Sequence, residues 1–330
     1  MSERLRAGQV EGRTDRDGPL RVGAEVVARR RTGPYAVLTL AAGPVAQRAR
    51  PGQFVEVAVD APGTLLRRPL SVARAALTGS GVGTIDLVVG AEGAGSAWLG
   101  GVAAHDVVDL IGPLGRPFPL PVRPASCMLV GGGYGAAPMH YLAEVLAAAG
   151  HRVDLIVGAA TEEQLLRSME AKRAATSMQF TTDDGSAGTR GRVTDVMAAV
   201  ATRGATDVVY ACGPNAMLAA VSGVAGSLGL PVRVSIEERM ACGVGVCFTC
   251  VVPVRDRGGA VHHRRSCIDG PVLDGARVDW DAMGLAAAAG GASGAASAPT
   301  GGDVVGDGDT GDLPGATPGA TSGGTPGGSA

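Results

Sequence analysis

Four cysteines crowd into one short stretch near the end of the chain, and their spacing is its strongest chemical signal. Cys242, Cys247, Cys250 and Cys267 read C-x4-C-x2-C-x16-C. The first three follow the plant-type spacing for a [2Fe–2S] cluster, in which four thiolates converge on two irons. Gly243 and Gly245 let backbone amides turn toward the cluster sulfurs, where hydrogen bonds tune the potential. A closed zinc site can also be built from four cysteines. Zinc ribbons, however, usually present two C-x2-C pairs, and here there is one.

A second signal is a run of glycines, Gly131, Gly132, Gly133 and Gly135, between an expected strand and an expected helix. Gly131, Gly133 and Ala136 match G-x-G-x-x-G/A, the loop that brings backbone amides and a helix N-terminus to a pyrophosphate. A tight turn that merely packs helix on strand is the plainer alternative. The acidic residue expected at the end of the second strand is missing: that strand ends Gly158, Ala159, Ala160, and Asp154 sits near its start. No Arg or Lys stands there to hold a 2′-phosphate, so NAD is favoured over NADP. Cys212, Gly213 and Pro214 close a later strand at the carboxyl edge, where ligands of such sheets bind. Cys212 could otherwise be a buried structural thiol, the commoner fate of a lone cysteine.

In the first half, Arg68, Pro69, Leu70 and Ser71 follow Pro51-Gly52-Gln53-Phe54. An arginine suits a pyrophosphate and a serine hydroxyl suits the polar edge of a flavin; a solvated arginine in an ordinary turn is the alternative. His105, His140, His151, His262 and His263 show no metal spacing and are expected at the surface or in loops.

The elements that must position these residues fall into two rhythms. From Val22 to about Phe118 short β-type runs are broken by Gly and Pro, as at Ala36–Leu40, Phe54–Val59, Thr84–Val89 and Val107–Ile111. This predicts a small antiparallel barrel or sandwich. A proline-rich hinge, Pro117 to Pro124, follows. Beyond it, strands at Ser126–Val130, Val153–Val157, Met178–Thr182, Asp207–Ala211 and Val232–Ile236 alternate with helices at Ala137–Ala149, Glu162–Lys172, Val193–Ala201 and Asn215–Leu228. Such alternation predicts a doubly wound parallel sheet. From about Leu285 the chain is almost wholly Gly, Ala, Ser, Thr, Pro and Asp, a composition that reads as a disordered tail. The expected divisions are 19–121, 122–234, 235–283 and 284–330.

Across all 330 residues the net charge is −2, which gives no reason to expect nucleic acid or an anionic membrane as partner. With no apolar N-terminal stretch and no run of about 20 apolar residues, a cytoplasmic protein is expected. There, six cysteines read as metal ligands or reactive thiols rather than disulfides.

Taken together, the motifs resemble the ferredoxin–NADP reductase superfamily, and more closely the electron-transfer subunits of NAD-linked, two-subunit dihydroorotate dehydrogenases. The resemblance covers roughly Val22 to Trp280. The family's Arg-Pro-(Leu/Ile)-Ser pattern stands at Arg68 to Ser71. Its second flavin-contacting stretch falls on Val88, Val89 and Gly90, and its Gly-Thr phosphate contact on Gly95 and Ser96, with serine replacing threonine. Gly112-Pro113-Leu114-Gly115 closes the barrel as in relatives. Gly131 to Pro138 looks like the nicotinamide-nucleotide loop, and Cys212-Gly213-Pro214 with Met217 like the loop beside the nicotinamide. Glu238-Arg239-Met240-Ala241-Cys242-Gly243 resembles the family's entry to its cluster.

The resemblance implies an α+β multidomain chain: an antiparallel Greek-key β-barrel for FAD, a Rossmann-like α/β domain for NAD, and a small cysteine-rich iron–sulfur lobe. It implies that electrons pass from the FMN of a dihydroorotate-oxidising catalytic subunit through the cluster and FAD to NAD+, in a heterotetramer of two subunits of each kind serving pyrimidine biosynthesis. A flavin exchanges electrons singly or in pairs, whereas nicotinamide takes only a pair. Three rivals stand beside this reading. One is a related NAD(P)H reductase feeding a ferredoxin, an oxygenase or a sulfur-reducing partner. Another is a redox or iron sensor, for which no DNA-binding helix pair or basic patch is visible. The third is a scaffold with structural zinc.

Overall fold

The computed structural model describes residues 18–77 and 83–285. Of the expected disordered tail, 284–330, all but Gly284 and Leu285 lies outside this range.

The first six strands are β1 (Leu20–Thr32), β2 (Tyr35–Ala41), β3 (Phe54–Val57), β4 (Arg68–Leu77), β5 (Gly83–Gly90) and β6 (Val107–Leu114). They close into an antiparallel barrel in the order β1-β2-β5-β4-β3-β6. Alternation explains the closure. In β5, Ile85, Leu87 and Val89 are buried in the barrel core while Thr84, Asp86 and Val88 face outward. Two short helices, α1 (Gly43–Ala46) and α2 (Ala94–Gly101), decorate the barrel.

The second layer is built on β7 (Ser126–Gly132), β8 (Arg152–Ala159), β9 (Ser177–Thr182), β10 (Thr189–Arg190), β11 (Val208–Cys212) and β12 (Val232–Ser235). They pair in parallel in the order β10-β9-β8-β7-β11-β12. Strand β7 is buried along almost its whole length, as a parallel strand covered on both faces must be. The order reverses between β7 and β11, which makes a switch point at their carboxyl ends. The connecting helices are α3 (Ala136–Ala148), α4 (Met169–Ala174), α5 (Val193–Gly204) and α6 (Asn215–Ser227).

Two expectations need correction. The helix predicted over Glu162–Lys172 is instead a 3-10 turn at Glu162–Gln164, an extended Leu165, and α4, capped by the Ser168 hydroxyl. Barrel contacts override the local preference: the Tyr35 hydroxyl donates to the Gln164 carbonyl at 3.0 Å, and the Glu163 carbonyl lies against Gly33. His140, expected at the surface or in a loop, is 5% exposed on α3. The helix is buried on more than one side, because it packs both on the sheet and on the barrel through pairs such as Arg74 with Glu144.

The cysteine-bearing segment adds a hairpin, β13 (Val251–Arg255) with β14 (Val261–Arg265), and a final strand β15 (Val272–Asp274). Strand β15 pairs antiparallel with β12 and extends the sheet to seven strands. Val252, Val254, Val278 and Trp280 share one buried cluster with α5 and α6, so this segment has no separate core. Among the described residues no helix is long and apolar enough to cross a membrane.

Candidate functional site

The barrel contributes a phosphate cradle. Arg68 opens β4, and its guanidinium lies against Gly95 in the first turn of α2: a Cβ there would stand 2.6 Å from Nε and 2.8 Å from Nη2. Only glycine admits that approach. The Arg68 Nη1 donates to the Leu66 carbonyl at 2.8 Å, which anchors the head beside the helix N-terminus. The Ser96 hydroxyl accepts from the Glu92 and Gly93 amides, both at 3.0 Å, and so shapes the loop entering α2. A guanidinium beside a helix N-terminus is the donor set a pyrophosphate requires, and it fits FAD. Ser71 is exposed on β4, and Val88, Val89 and Gly90 end the neighbouring strand β5.

The carboxyl edge of the sheet contributes the nucleotide loop. Gly131 packs on the start of α3, where a Cβ would meet Ala136 Cα at 2.6 Å, and Gly133 has φ +55°. Gly135 touches the end of β11: a Cβ there would come 2.7 Å from Gly213 Cα and 2.9 Å from the Cys212 carbonyl carbon. The two nicotinamide stretches, far apart in sequence, therefore share one edge beside the N-terminus of α3. This arrangement fits a dinucleotide pyrophosphate. Cys212 is buried, and burial pushes its thiol well above the ordinary range. Asp154 is buried and held by Arg152 at 2.9 Å and by Ser177, near the amino end of β8 and away from this edge.

The four cysteines fall into two pairs. Cys242 lies beside Cys247, and the Cys267 amide donates to Cys250 Sγ at 3.5 Å. Hydrogen bonds from Thr249 and then Cys242 hold the Cys247 thiol down to about 6, whereas burial pushes Cys267 up to about 12. Among the described residues no three His, Cys, Asp or Glu side chains converge on one ion. Cys242 stands near both Cys247 and Cys267, and the C-x4-C-x2-C-x16-C spacing carries the assignment to a [2Fe–2S] cluster. The loop turns through positive φ at Gly243, Gly245 and Phe248. Arg265 braces it, donating to the Gly245 carbonyl at 2.8 Å and lying 4.9 Å over the Phe248 ring.

One residue ties cluster loop to flavin strand. Phe54 of β3 is the register partner of Ser71 on β4, and its side chain packs with Leu114, Cys250 and Cys267. Sequence reasoning missed several residues gathered here. The Tyr134 hydroxyl stands near the carboxyls of Glu92 and Glu237, and burial raises Glu237 above the usual carboxylate range. Tyr134 also stands over Gly90, where an added Cβ would come 3.7 Å from its Cδ1. Glu56, 1% exposed on β3, lies under the cysteine loop with neither carboxylate oxygen hydrogen-bonded. A charged residue at an inward position of Phe54-Val55-Glu56-Val57 was the available signal.

A six-stranded barrel with an arginine beside a helix N-terminus, joined to a parallel nucleotide-binding sheet, defines a flavin-dependent pyridine-nucleotide oxidoreductase fold, here extended by an iron–sulfur segment. Residues 129–223 match the oxidoreductase NAD-binding domain, and residues 237–279 match the iron–sulfur cluster binding domain of dihydroorotate dehydrogenase B. The NADH-dependent reduced ferredoxin-NADP oxidoreductase structure superposes with a TM-score of 0.69 at 31% identity, over 79% of this chain and 91% of that one. The FAD/NAD-binding domain of nitric oxide dioxygenase from Vibrio cholerae shares the fold at TM-score 0.57 and 20% identity, over 67% and 99%. The dihydroorotate dehydrogenase B (NAD(+)) electron transfer subunit of Geobacillus thermodenitrificans is 43% identical over 73% of this chain and 91% of its own length. That of Desulforamulus reducens is 34% identical over 72% and 89%. The chain belongs to the family of dihydroorotate dehydrogenase B electron transfer subunits.

Proposed function

We propose that this chain carries electrons from an FMN-containing, dihydroorotate-oxidising catalytic subunit to NAD+, with FAD in the barrel (19–121), NAD on the sheet (122–234) and a [2Fe–2S] cluster on Cys242, Cys247, Cys250 and Cys267 (235–283). The observation that carries it is Phe54, which joins the flavin strand to the cysteine pairs in a single residue. Bound FAD and cluster supply the exchange between single electrons and electron pairs. The chain's own residues do the rest. Arg68 and the α2 N-terminus neutralise the FAD pyrophosphate, while Ser71, Val88 and Gly90 line the ring; Val89, whose side chain points into the barrel core, offers only its backbone. The amides of Gly131, Gly133 and Gly135 receive the NAD phosphates, and Cys212 and Gly213 leave room for the nicotinamide. Tyr134 and the carboxyls of Glu92 and Glu237 close the gap between barrel and sheet.

The partner docks on the cluster face. Val244, Val246 and Phe248 of the cysteine loop are exposed apolar side chains beside the thiols, as an electron-transfer interface needs. We infer a cytoplasmic heterotetramer of two subunits of each kind. The purified chain should pass electrons from NADH to artificial acceptors, yet show dihydroorotate-dependent NAD+ reduction only after the FMN subunit is added. Oxidation of dihydroorotate by the chain alone, or no complex with that subunit, would end this reading. The 31% identity to a ferredoxin-NADP oxidoreductase supports a second reading, a reductase serving a ferredoxin. Reduction of ferredoxin in place of the FMN subunit is its mark.

A further inference from the structure

Three carboxylates are buried among the described residues, and two of them hold arginines: Asp154 binds Arg152 at 2.9 Å and Asp279 binds Arg255 at 2.8 Å. The third, Glu56, has no hydrogen-bond partner on either oxygen. Leaving a carboxylate in that state costs several kcal/mol, roughly, unless the site uses it. Its position says what it faces. Above it runs the cysteine loop, so close that a Cβ on Gly243 would come within 2.5 Å of Glu56 Cγ and 2.8 Å of Cδ. Gly243, at φ +65°, follows Cys242 directly. Burial pushes the Glu56 carboxyl up to about 7; on the barrel side Arg67 and Arg68 favour the ionised form, which Cys247 opposes from the loop, so above that value the group is a carboxylate. Arg67 is itself tied to Asp109 at 3.1 Å, and it donates at 3.3 Å to Glu56's own backbone carbonyl rather than to its carboxylate. Glu56 thus stands between the arginine of the flavin cradle and the thiols.

We propose that the Glu56 carboxylate sets the reduction potential of the cluster held by Cys242, Cys247, Cys250 and Cys267, keeping it below the value the four thiolates alone would give. An electron added to a four-thiolate cluster makes it more negative. A buried carboxylate beneath the loop opposes that electron by Coulomb repulsion, which water does not screen there. A lowered potential keeps the centre from trapping electrons that must continue to the flavin. The inference rests on the cluster reading above.

The test uses the full chain loaded with FAD and cluster. Iron and acid-labile sulfide in the unmodified protein, about two of each per chain, are measured first. Their absence ends the cluster reading itself and this proposal with it. EPR-monitored redox titration at pH 8.5 then compares Glu56→Gln and Glu56→Asp with the unmodified chain. Glu56→Gln should shift the reduction equilibrium about tenfold toward the reduced cluster, about 59 mV for a one-electron couple, while Glu56→Asp stays near the original midpoint. A shift below threefold in Glu56→Gln, or an equal shift in both variants, overturns the proposal. If Glu56→Gln does not load a cluster, Glu56→Ala is titrated in its place against the same threshold. Failure of both to load overturns it in favour of a packing role.

Discussion

The guanidinium of Arg68 occupies the space that any side chain at position 95 would need, with Nε 2.6 Å from where the Cβ would stand. The cradle proposed for the flavin is thus one close approach between a strand start and a helix start. Arg68→Ala should weaken FAD binding about tenfold or more, the scale of a lost charge-assisted hydrogen bond of about 1.5–3 kcal/mol. Gly95→Val should do the same by displacing the guanidinium. Flavin content after gel filtration checks both, and the cluster absorbance should persist. Full FAD occupancy in Arg68→Ala would remove Arg68 from the site.

The cysteine pairs differ in what each substitution costs. Serine at any of the four should abolish the cluster, read as iron and sulfide content. Cys250 and Cys267 also pack against Phe54 and Leu114, so their variants should lose thermal stability as well, whereas exposed Cys247 should lose the cluster with little change in melting. Stoichiometric zinc without iron in anaerobically prepared protein would sink the assignment.

Gly135 meets Gly213 across the carboxyl edge, and a larger residue forces the two loops apart. Gly135→Val should slow NADH-dependent flavin reduction by roughly tenfold or more, on the scale of overpacking, about 1–3 kcal/mol. FAD and iron contents should stay unchanged. Stopped-flow bleaching of the flavin distinguishes the outcomes; an unaltered rate would move the nicotinamide site elsewhere.

Acid should loosen α3. Burial holds the His140 imidazole neutral, down to about 4, with Glu170 opposing weakly, and its Nε2 has no partner. A folded-state value below the unfolded one means stability is full above pH 6.5 and falls as pH drops toward 4. The loss across that window is at most about 3 kcal/mol. Denaturant midpoints from pH 7 to pH 4.5 should fall less steeply in His140→Leu than in the unmodified chain, and parallel slopes would refute the role.

Signals carried by neighbours in sequence were legible, and signals made by packing were not. Inward–outward alternation along Thr84–Val89 and the apolar run from Ser126 are strand signatures that no tertiary contact reverses. The cysteine spacing is local too. By contrast, the turn at Glu162–Gln164 exists because Tyr35 of the barrel donates to the Gln164 carbonyl and Gly33 leaves room for that of Glu163, which the segment's own composition does not announce. His140 looks like any polar helix residue until the barrel covers it. Glu56 and Gly243 meet only because the cysteine segment folds back on β3, and Tyr134 finds Glu92 and Glu237 only where barrel and sheet adjoin.

Strand β15 leaves β12 without a free edge. Cut away the residues beyond 236 and Val232 to Ser235 would offer bare amides and carbonyls to any passing strand, a route to aggregation. The cysteine segment therefore cannot be lifted out as a detachable cartridge in the way a separate ferredoxin module can. Its span to the nucleotide edge is stitched by the register Ser235 to Val272, Val234 to Leu273 and Arg233 to Asp274. Main-chain pairing thus fixes the cysteine segment to the nucleotide sheet, so the two cannot be separated without opening a backbone ladder.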